Sequence, residues 1–358
     1  MKVAILGAGP AGLACAIECE KLGVQAELFE RNPRVGWLWP SVSFWPNVFY
    51  NNLGSKDARE YIKTEYGTDF TVLNNTNSFI MKSSGKQASI TGTLGLTVAR
   101  GTADESLESQ LLRQINKTPL FYNYLGDYNA LAKEYEYVVV ATGRETEARD
   151  MGLWQDEGPI IIVGSVVIGN FDINSSVIYF NTEYAGTGYG RLTPFNQQCA
   201  TVELYIIGKL EMEAQELFQK FIQTEKLDTL DYVYKYIPPS FTTGKVTKFQ
   251  KDNVLLAGRA AGLTDRVLGV GAVEAMVSGT MAARAIAKKE DYSASVKPLQ
   301  SHIESISAFR KNINGFTNAD FDKVVTILGT PVIKQAVYNT RVDLVGRAGS
   351  ILKMLNKS

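Results

Sequence analysis

The sequence predicts an α/β chain, α+β overall: a Rossmann-like dinucleotide-binding domain assembled from separated segments, an inserted, mostly antiparallel β-sheet domain, and a C-terminal helical region. Three observations carry this. The chain opens on a strand, a glycine turn and a helix, KVAILGAGPAGLACAIECEKLGVQAELFER; short β-rich runs crowd residues 158–210; and NVLLAGRAAGLTDRVLGVGAVEAM, at 253–276, passes from a buried strand through glycines into a helix. A length of 358 residues suits two intimately joined domains rather than one.

The opening segment is a βαβ unit written in order. Val3 to Leu6 reads as a buried strand, the helix runs to about Leu22, Gly23 stops it, and AELFE is the second strand. Gly7 permits the tight turn, Gly9 lets backbone approach a pyrophosphate, and Gly12 lets helix pack on strand. Glu30, at the end of the second strand, can accept from both ribose hydroxyls and would repel a 2′-phosphate, which excludes NADP here and leaves FAD or NAD.

Further along, VGWLWPSVSFWPNVFY (35–50) holds Trp37, Trp39 and Trp45, with Pro40 and Pro46 arguing against a regular helix. Such a loop can wall a flat cofactor or an apolar substrate, or it can be core. TVARGTADESLESQLLRQI (97–115) reads as a strand end and then a helix, with Asp104 or Ser106 at its cap and Leu107, Leu111, Leu112 and Ile115 inward. Arg100, at the junction, either reaches a phosphate or lies on the surface. YEYVVVATGRE ends a buried strand on Ala141, Thr142 and Gly143, small enough for close approach to a ligand. The β-rich second domain is interrupted by AGTGYGRLTPFN (185–196), read as a glycine turn whose Tyr189 and Phe195 could face a ligand. After Gly269 and Gly271 a long helix begins near Ala272, and its free N–H groups suit an acceptor that becomes negative. From Tyr292 onward the chain reads as helices.

Composition narrows the function. Lys plus Arg equals Asp plus Glu at 37 each, so nothing favours a nucleic-acid partner. The three cysteines form no CxxC pair and no disulfide framework, which suits a reducing cytoplasm; Cys15 and Cys19, four apart on one helix face, are read as buried thiols rather than metal ligands. No apolar run reaches the roughly 18 residues of a membrane span, and a soluble chain is expected. A single histidine, His302, read as a surface residue, leaves no Ser-His-Asp triad or multi-histidine metal site.

The N-terminal GxGxxG unit, the ATG strand and the late strand-glycine-helix segment, in this order, resemble the FAD-dependent oxidoreductases of the para-hydroxybenzoate hydroxylase and geranylgeranyl reductase superfamily. The resemblance implies FAD, with Gly7, Gly9, Pro10, Ala11, Gly12, Glu30 and Arg31 holding its adenosine and pyrophosphate and Arg100 near the phosphates. It places Ala141, Thr142, Gly143, Gly258, Arg259, Gly269, Val270, Gly271 and Ala272 against the cofactor. TGYGRLTPF looks like the Gly-Tyr-Gly…Pro motif of geranylgeranyl reductases, which implies that Gly188, Gly190 and Pro194 line the substrate, with Tyr189 a candidate pocket acid. Three departures stand out: Gly258-Arg259 where the family has Gly-Asp, Thr142-Gly143 where hydroxylases have Asp-Gly, and Arg266 where a proline usually follows the acid Asp265.

The expected FAD-binding domain spans 1–45, 97–150 and 249–290, the substrate domain 46–96 and 151–248, and the helical region 291–358. The expected function is transfer of hydride between flavin and an apolar, isoprenoid-like C=C substrate, walled by Trp37, Trp39 and Trp45. NAD(P)H or a ferredoxin-type carrier is the transient electron donor. A flavin monooxygenase and a redox-inactive nucleotide-binding protein are the alternatives. Arg266 could hold an anionic substrate group by bidentate contacts. VGRAGSILKMLNKS (345–358) could form a basic amphipathic helix in peripheral membrane contact, or a docked terminal helix.

Overall fold

A computed structural model describes residues 1–37, 40–50 and 57–331. Trp39 and the 345–358 segment lie outside the described residues.

The first strand, Lys2–Leu6, is buried from Val3 onward because it is flanked on both edges and covered on both faces. Gln25–Phe29 pairs parallel with it on one side and Tyr137–Val140 on the other, so chain order reverses direction across it. This is the point where open α/β sheets leave a crevice beyond the carboxyl ends of their strands. Val254–Leu256 extends the sheet in parallel past Tyr137–Val140, Leu120–Phe121 extends its other edge, and the short Gln250–Lys251 closes it antiparallel. Strands from three separated stretches thus share one six-stranded sheet.

The helix Pro10–Leu22 starts with proline in its first turn and ends on Gly23 at φ 69°, a left-handed stop. It crosses the long helix Ala272–Lys288 at close range. A Cβ on Gly279 would lie 2.0 Å from the Ala11 carbonyl oxygen, so only glycine permits this approach.

The second sheet has nine described strands, in the order Asp231–Tyr236, Trp154–Ile168, Cys199–Ile206, Tyr189–Pro194, Ser175–Phe180, Asn74–Ser83, Gln87–Arg100 and Ser41–Pro46, with Phe241–Val246 also on Trp154–Ile168. All pairs are antiparallel except Asn74–Ser83 with Ser175–Phe180. The sheet curls until its last strand meets its middle, where the Ser41 hydroxyl donates to Glu203 at 2.6 Å. Ser41–Trp45 and residues 97–100 belong to this sheet by pairing, although they fall within segments expected in the nucleotide domain.

Two segments read as loops are strands. Residues 41–46 form a strand followed by a 3-10 turn at Asn47–Phe49, since Pro40 and Pro46 bound an edge strand without entering its interior. Within 185–196 only the first residues turn, and Tyr189–Pro194 is a strand paired on both sides.

C-terminal helices Tyr292–Ile313 and Asn318–Leu328 tie the two sheets together. The Tyr292 hydroxyl donates to the Leu256 carbonyl at 2.7 Å, and Phe321 stacks on Phe180 with ring centroids 5.2 Å apart. His302 is half-buried there, 6.3 Å from the ring of Tyr50, rather than on the surface. Cys15 and Cys19 are buried thiols, as read.

Candidate cofactor and substrate cleft

A cleft of about 640 Å³ opens at the carboxyl ends of the parallel strands and runs toward the curled sheet. Its first end is built by the glycine turn. Gly7 adopts φ 105°, and a Cβ there would lie 2.5 Å from the Ala141 carbonyl oxygen; one on Gly12 would lie 1.8 Å from the Gly7 carbonyl oxygen. Both are demanded by protein packing against protein. Gly9 differs: a Cβ on it would meet no described atom within 4 Å, so its smallness keeps open a space that faces the cleft.

Glu30 stands at this end, 7% exposed, with Oε2 accepting from the Ala8 N–H and Oε1 from both the Asn32 N–H and Nδ2. These bonds fix the carboxylate at the strand end while leaving acceptor capacity for a ligand hydroxyl. No described side chain caps the helix starting at Pro10, so its first N–H groups and positive dipole end are available to an anion.

The other wall comes from residues 258–272. Gly258 and Gly269, at φ 61° and 72°, shape the turns. Between them Asp265, 1% exposed, accepts from the N–H groups of Val267, Leu268 and Val270 and so ties the loop into one conformation. Burial still lifts its carboxyl to about 6 against those bonds. The helix Ala272–Lys288 begins here, also without a described side-chain cap, and thus aims a second dipole end into the same cleft. Beneath its first turn Glu274 is 2% exposed and pushed up to about 8, chiefly by burial, with only the Tyr50 hydroxyl at 3.3 Å on Oε1.

Gly7, Gly9, Pro10, Ala11, Glu30, Arg31, Arg100, Ala141, Thr142, Gly143, Gly258, Arg259 and 269–272 all line this one cleft. Gly12 lies just behind it. Arg100 is neither free nor superficial: buried Glu108 holds it, with Nε at 2.7 Å from Oε1. The Thr142 hydroxyl donates to Glu147 at 2.9 Å. Arg259 is half-buried, its guanidinium 3.8 Å from the ring centre of Phe241, and burial and the nearby Arg100 charge pull it down to about 10.

The expected substrate residues divide. Trp37 lines the cleft, 39% exposed. Trp45 does not: it is fully buried, donates from Nε1 to the Ser43 hydroxyl at 2.9 Å and packs edge-on against Phe70. Gly188 and Gly190 serve close packing, since a Cβ would come within 1.9 Å of the Tyr205 carbonyl oxygen or 2.5 Å of the Phe221 ring, and Pro194 closes a strand opposite Ala200. Tyr189 stacks behind Tyr205 with ring centroids 4.6 Å apart. Its hydroxyl proton is committed to the Leu268 carbonyl at 2.7 Å, and burial holds it well above the ordinary phenol range. That arrangement suits positioning of the 265–270 loop better than proton delivery. Arg266 is 8% exposed, away from the cleft lining, and bound to Glu157.

One group that the sequence did not single out sits at the sheet end of the cleft. Arg191, 4% exposed, bonds through Nη2 to the Val42 carbonyl at 2.7 Å, to Glu203, and to the Tyr205 hydroxyl at 3.2 Å. Glu203, fully buried, also accepts from Ser41, from the Tyr236 hydroxyl at 2.8 Å and from Tyr205. Ser41, Arg191 and Tyr205 line the cleft beside Ile162 and Phe241. Arg191 stands directly opposite Glu203 on neighbouring antiparallel strands, and Ser41 and Val42 join them only because the curl brings the last strand of the sheet back to its middle.

Residues 5–55 match the NAD(P)-binding Rossmann-like domain family. The chain is 23% identical over 380 aligned positions to digeranylgeranylglycerophospholipid reductase 3 of Methanosphaera stadtmanae, across 96% of this chain and 94% of that protein. It is 27% identical to reductase 1 of the same organism over 175 residues, 44% of this chain and 42% of that one. Among solved structures, a geranylgeranyl bacteriochlorophyll reductase-like protein from Thermoplasma acidophilum shares the fold with a TM-score of 0.72 at 17% identity, covering 99% of this chain and 98% of that one. A flavin-dependent brominase shares it with a TM-score of 0.66 at 13% identity over 100% of both chains.

Proposed function

From the premise that this chain belongs to the FAD-binding superfamily of para-hydroxybenzoate hydroxylase and geranylgeranyl reductase, we propose that it is an FAD-dependent reductase or dehydrogenase acting on an apolar C=C substrate. The observation that carries the reading is the convergence of two helix N-termini without a described side-chain cap on one cleft, with the anchored carboxylate of Glu30 at one end and a sheet face of Ile162, Phe241 and Tyr205 around Arg191 at the other. Those residues fit a flavin dinucleotide. Gly9 supplies the open approach for phosphate, and the Pro10–Leu22 helix N-terminus supplies N–H donors for it. Glu30 would accept from the ribose, and Arg259 and Arg100 add positive charge along the lining.

FAD, once bound, would supply two-electron hydride chemistry, which is why the lack of a histidine or a paired acid among the cleft residues is no objection. The chain's own residues place and shield. The N-terminus of Ala272–Lys288 offers N–H donors where negative charge develops, and the Asp265-tied loop keeps that end rigid. Ile162, Phe241 and Tyr205 exclude water from the reacting edge. The likeness to two digeranylgeranylglycerophospholipid reductases supports an isoprenoid-like substrate. Electrons would come from NAD(P)H or a ferredoxin-type carrier docking transiently at a cytoplasmic protein. No described helix is long and apolar enough to cross a membrane, and this reading needs none.

The test is anaerobic. Photoreduced holoprotein mixed with a geranylgeranyl lipid should recover its oxidised flavin band as the lipid is reduced. Recovery only on admitting oxygen, with oxygenated product, would replace this reading by a monooxygenase.

A further inference from the structure

We propose that Arg191 is the substrate-recognition residue of the cleft and that it binds a neutral carbonyl oxygen. The natural substrate is then an apolar, unsaturated molecule that also carries a ketone, quinone, ester or amide carbonyl, not a plain hydrocarbon. This rests on the reading of the cleft as a flavin and substrate site.

Strand alternation sets the geometry. Along Tyr189–Pro194 the side chains at 190 and 192 turn toward the helix Ala214–Thr224, where a Cβ on Gly190 would strike Phe221, whereas Arg191 turns to the opposite face and lines the cleft. The guanidinium is 4% exposed, and every bond it makes among the described residues comes from Nη2. Nε is buried without a hydrogen-bond partner. A guanidinium has five N–H donors: Nε is buried with its donor unmatched, while Nη1 makes no described bond and is not among the buried atoms, so Nη1 is the donor left for an acceptor arriving through the cleft.

Charge selects the kind of acceptor. Glu203 already neutralises Arg191, and its carboxylate is itself saturated by Ser41, Tyr205 and Tyr236. An incoming carboxylate would have to shed its hydration and then face the Glu203 charge across the guanidinium. A carbonyl oxygen meets the same donors with neither penalty. The walls around it, Ile162, Phe241 and the Tyr205 ring, favour an apolar, unsaturated body.

The experiment uses FAD-loaded protein and three probes sharing one styryl skeleton: benzalacetone with a ketone, cinnamate with a carboxylate, and β-methylstyrene with neither. Binding is read from the perturbation of the bound flavin spectrum. The ketone should bind at least about tenfold more tightly than either of the others. Arg191→Lys keeps a positive charge beside Glu203 but loses the Nε and Nη1 donors, and should bring ketone and hydrocarbon to within about threefold with FAD affinity unchanged. If that variant does not fold, Arg191→Met combined with Glu203→Gln removes both charges together and should give the same loss of preference. Equal binding of the three probes, preference for cinnamate, no response to benzalacetone, or a preference that survives the substitutions would each overturn the assignment and make the ion pair a clamp of the curled sheet only. Failure of the parent to take up FAD is visible before any probe is added; it would defeat the flavin reading and this one with it.

Discussion

Three glycines in one six-residue stretch do two kinds of work, and substitutions at Gly12 and Gly9 separate them. Gly12→Ala drives a methyl group into the Gly7 carbonyl and should lower Tm sharply, with a loss of several kcal/mol, as overpacking against backbone does. Gly9→Ala places its methyl in open space at φ −82°, which alanine adopts freely, so Tm without cofactor should stay near the parent value while FAD affinity falls at least about tenfold. Thermal melts with and without FAD distinguish the two, and equal effects on stability would contradict the assignment. Glu274 makes a second prediction. Its carboxyl is raised to about 8 from an ordinary 4.5, so between those values the folded protein keeps a proton that the unfolded chain has released. Stability from this group is therefore full below that window and declines as pH rises through it. Glu274→Gln should flatten the denaturation profile there and gain up to about 5 kcal/mol near pH 8. A parent and a variant with parallel profiles would show that Glu274 titrates alike in the folded and unfolded chain.

Helix Pro10–Leu22 and helix Ala272–Lys288 each begin at the cleft, so the distance between their N-termini depends on how closely they cross. That crossing rests on Gly279, whose missing Cβ admits the Ala11 carbonyl. Gly279→Val should push the helices apart, lower Tm by several degrees or more and weaken FAD binding, although residue 279 does not line the cleft. Unchanged melting and affinity would mean that the crossing is softer than drawn. This scale also shows what was legible in the sequence. The first helix and its flanking strands were readable because every determinant, Gly7 to Gly23 and Glu30, lies within thirty residues and acts locally. The glycines of 185–190 misled in the opposite way. They resemble a turn, but two of them are small because Tyr205 backbone and the Phe221 ring press against a strand. Trp45 likewise carries a wall residue's chemistry in a core position, and only the pairing of Ser41–Pro46 with Gln87–Arg100 buries it.

Across the whole molecule, the cleft is where a parallel sheet's carboxyl edge faces a curled antiparallel one. The half built on the glycine turn was legible in the sequence as neighbours of one lining, because nucleotide-binding turns write their requirements into adjacent positions. The half built on the curled sheet was not. Arg191 and Glu203 are cross-strand partners within one antiparallel pair, but Ser41 reaches them only through the curl of a nine-stranded sheet that no periodicity encodes. Arg259 belongs to both halves: its corner was visible as a departure from the family's Gly-Asp, while its stacking on Phe241 was not. The proposed function requires that this cleft hold FAD. It is tested most directly by titrating FAD into cofactor-free protein and following flavin fluorescence and absorption, with Gly9→Ala alongside. Saturable uptake of one FAD per chain, with a spectrum that bleaches on anaerobic photoreduction and an affinity weakened in Gly9→Ala, is the predicted result. No uptake by the folded parent, or uptake indifferent to that substitution, would contradict it.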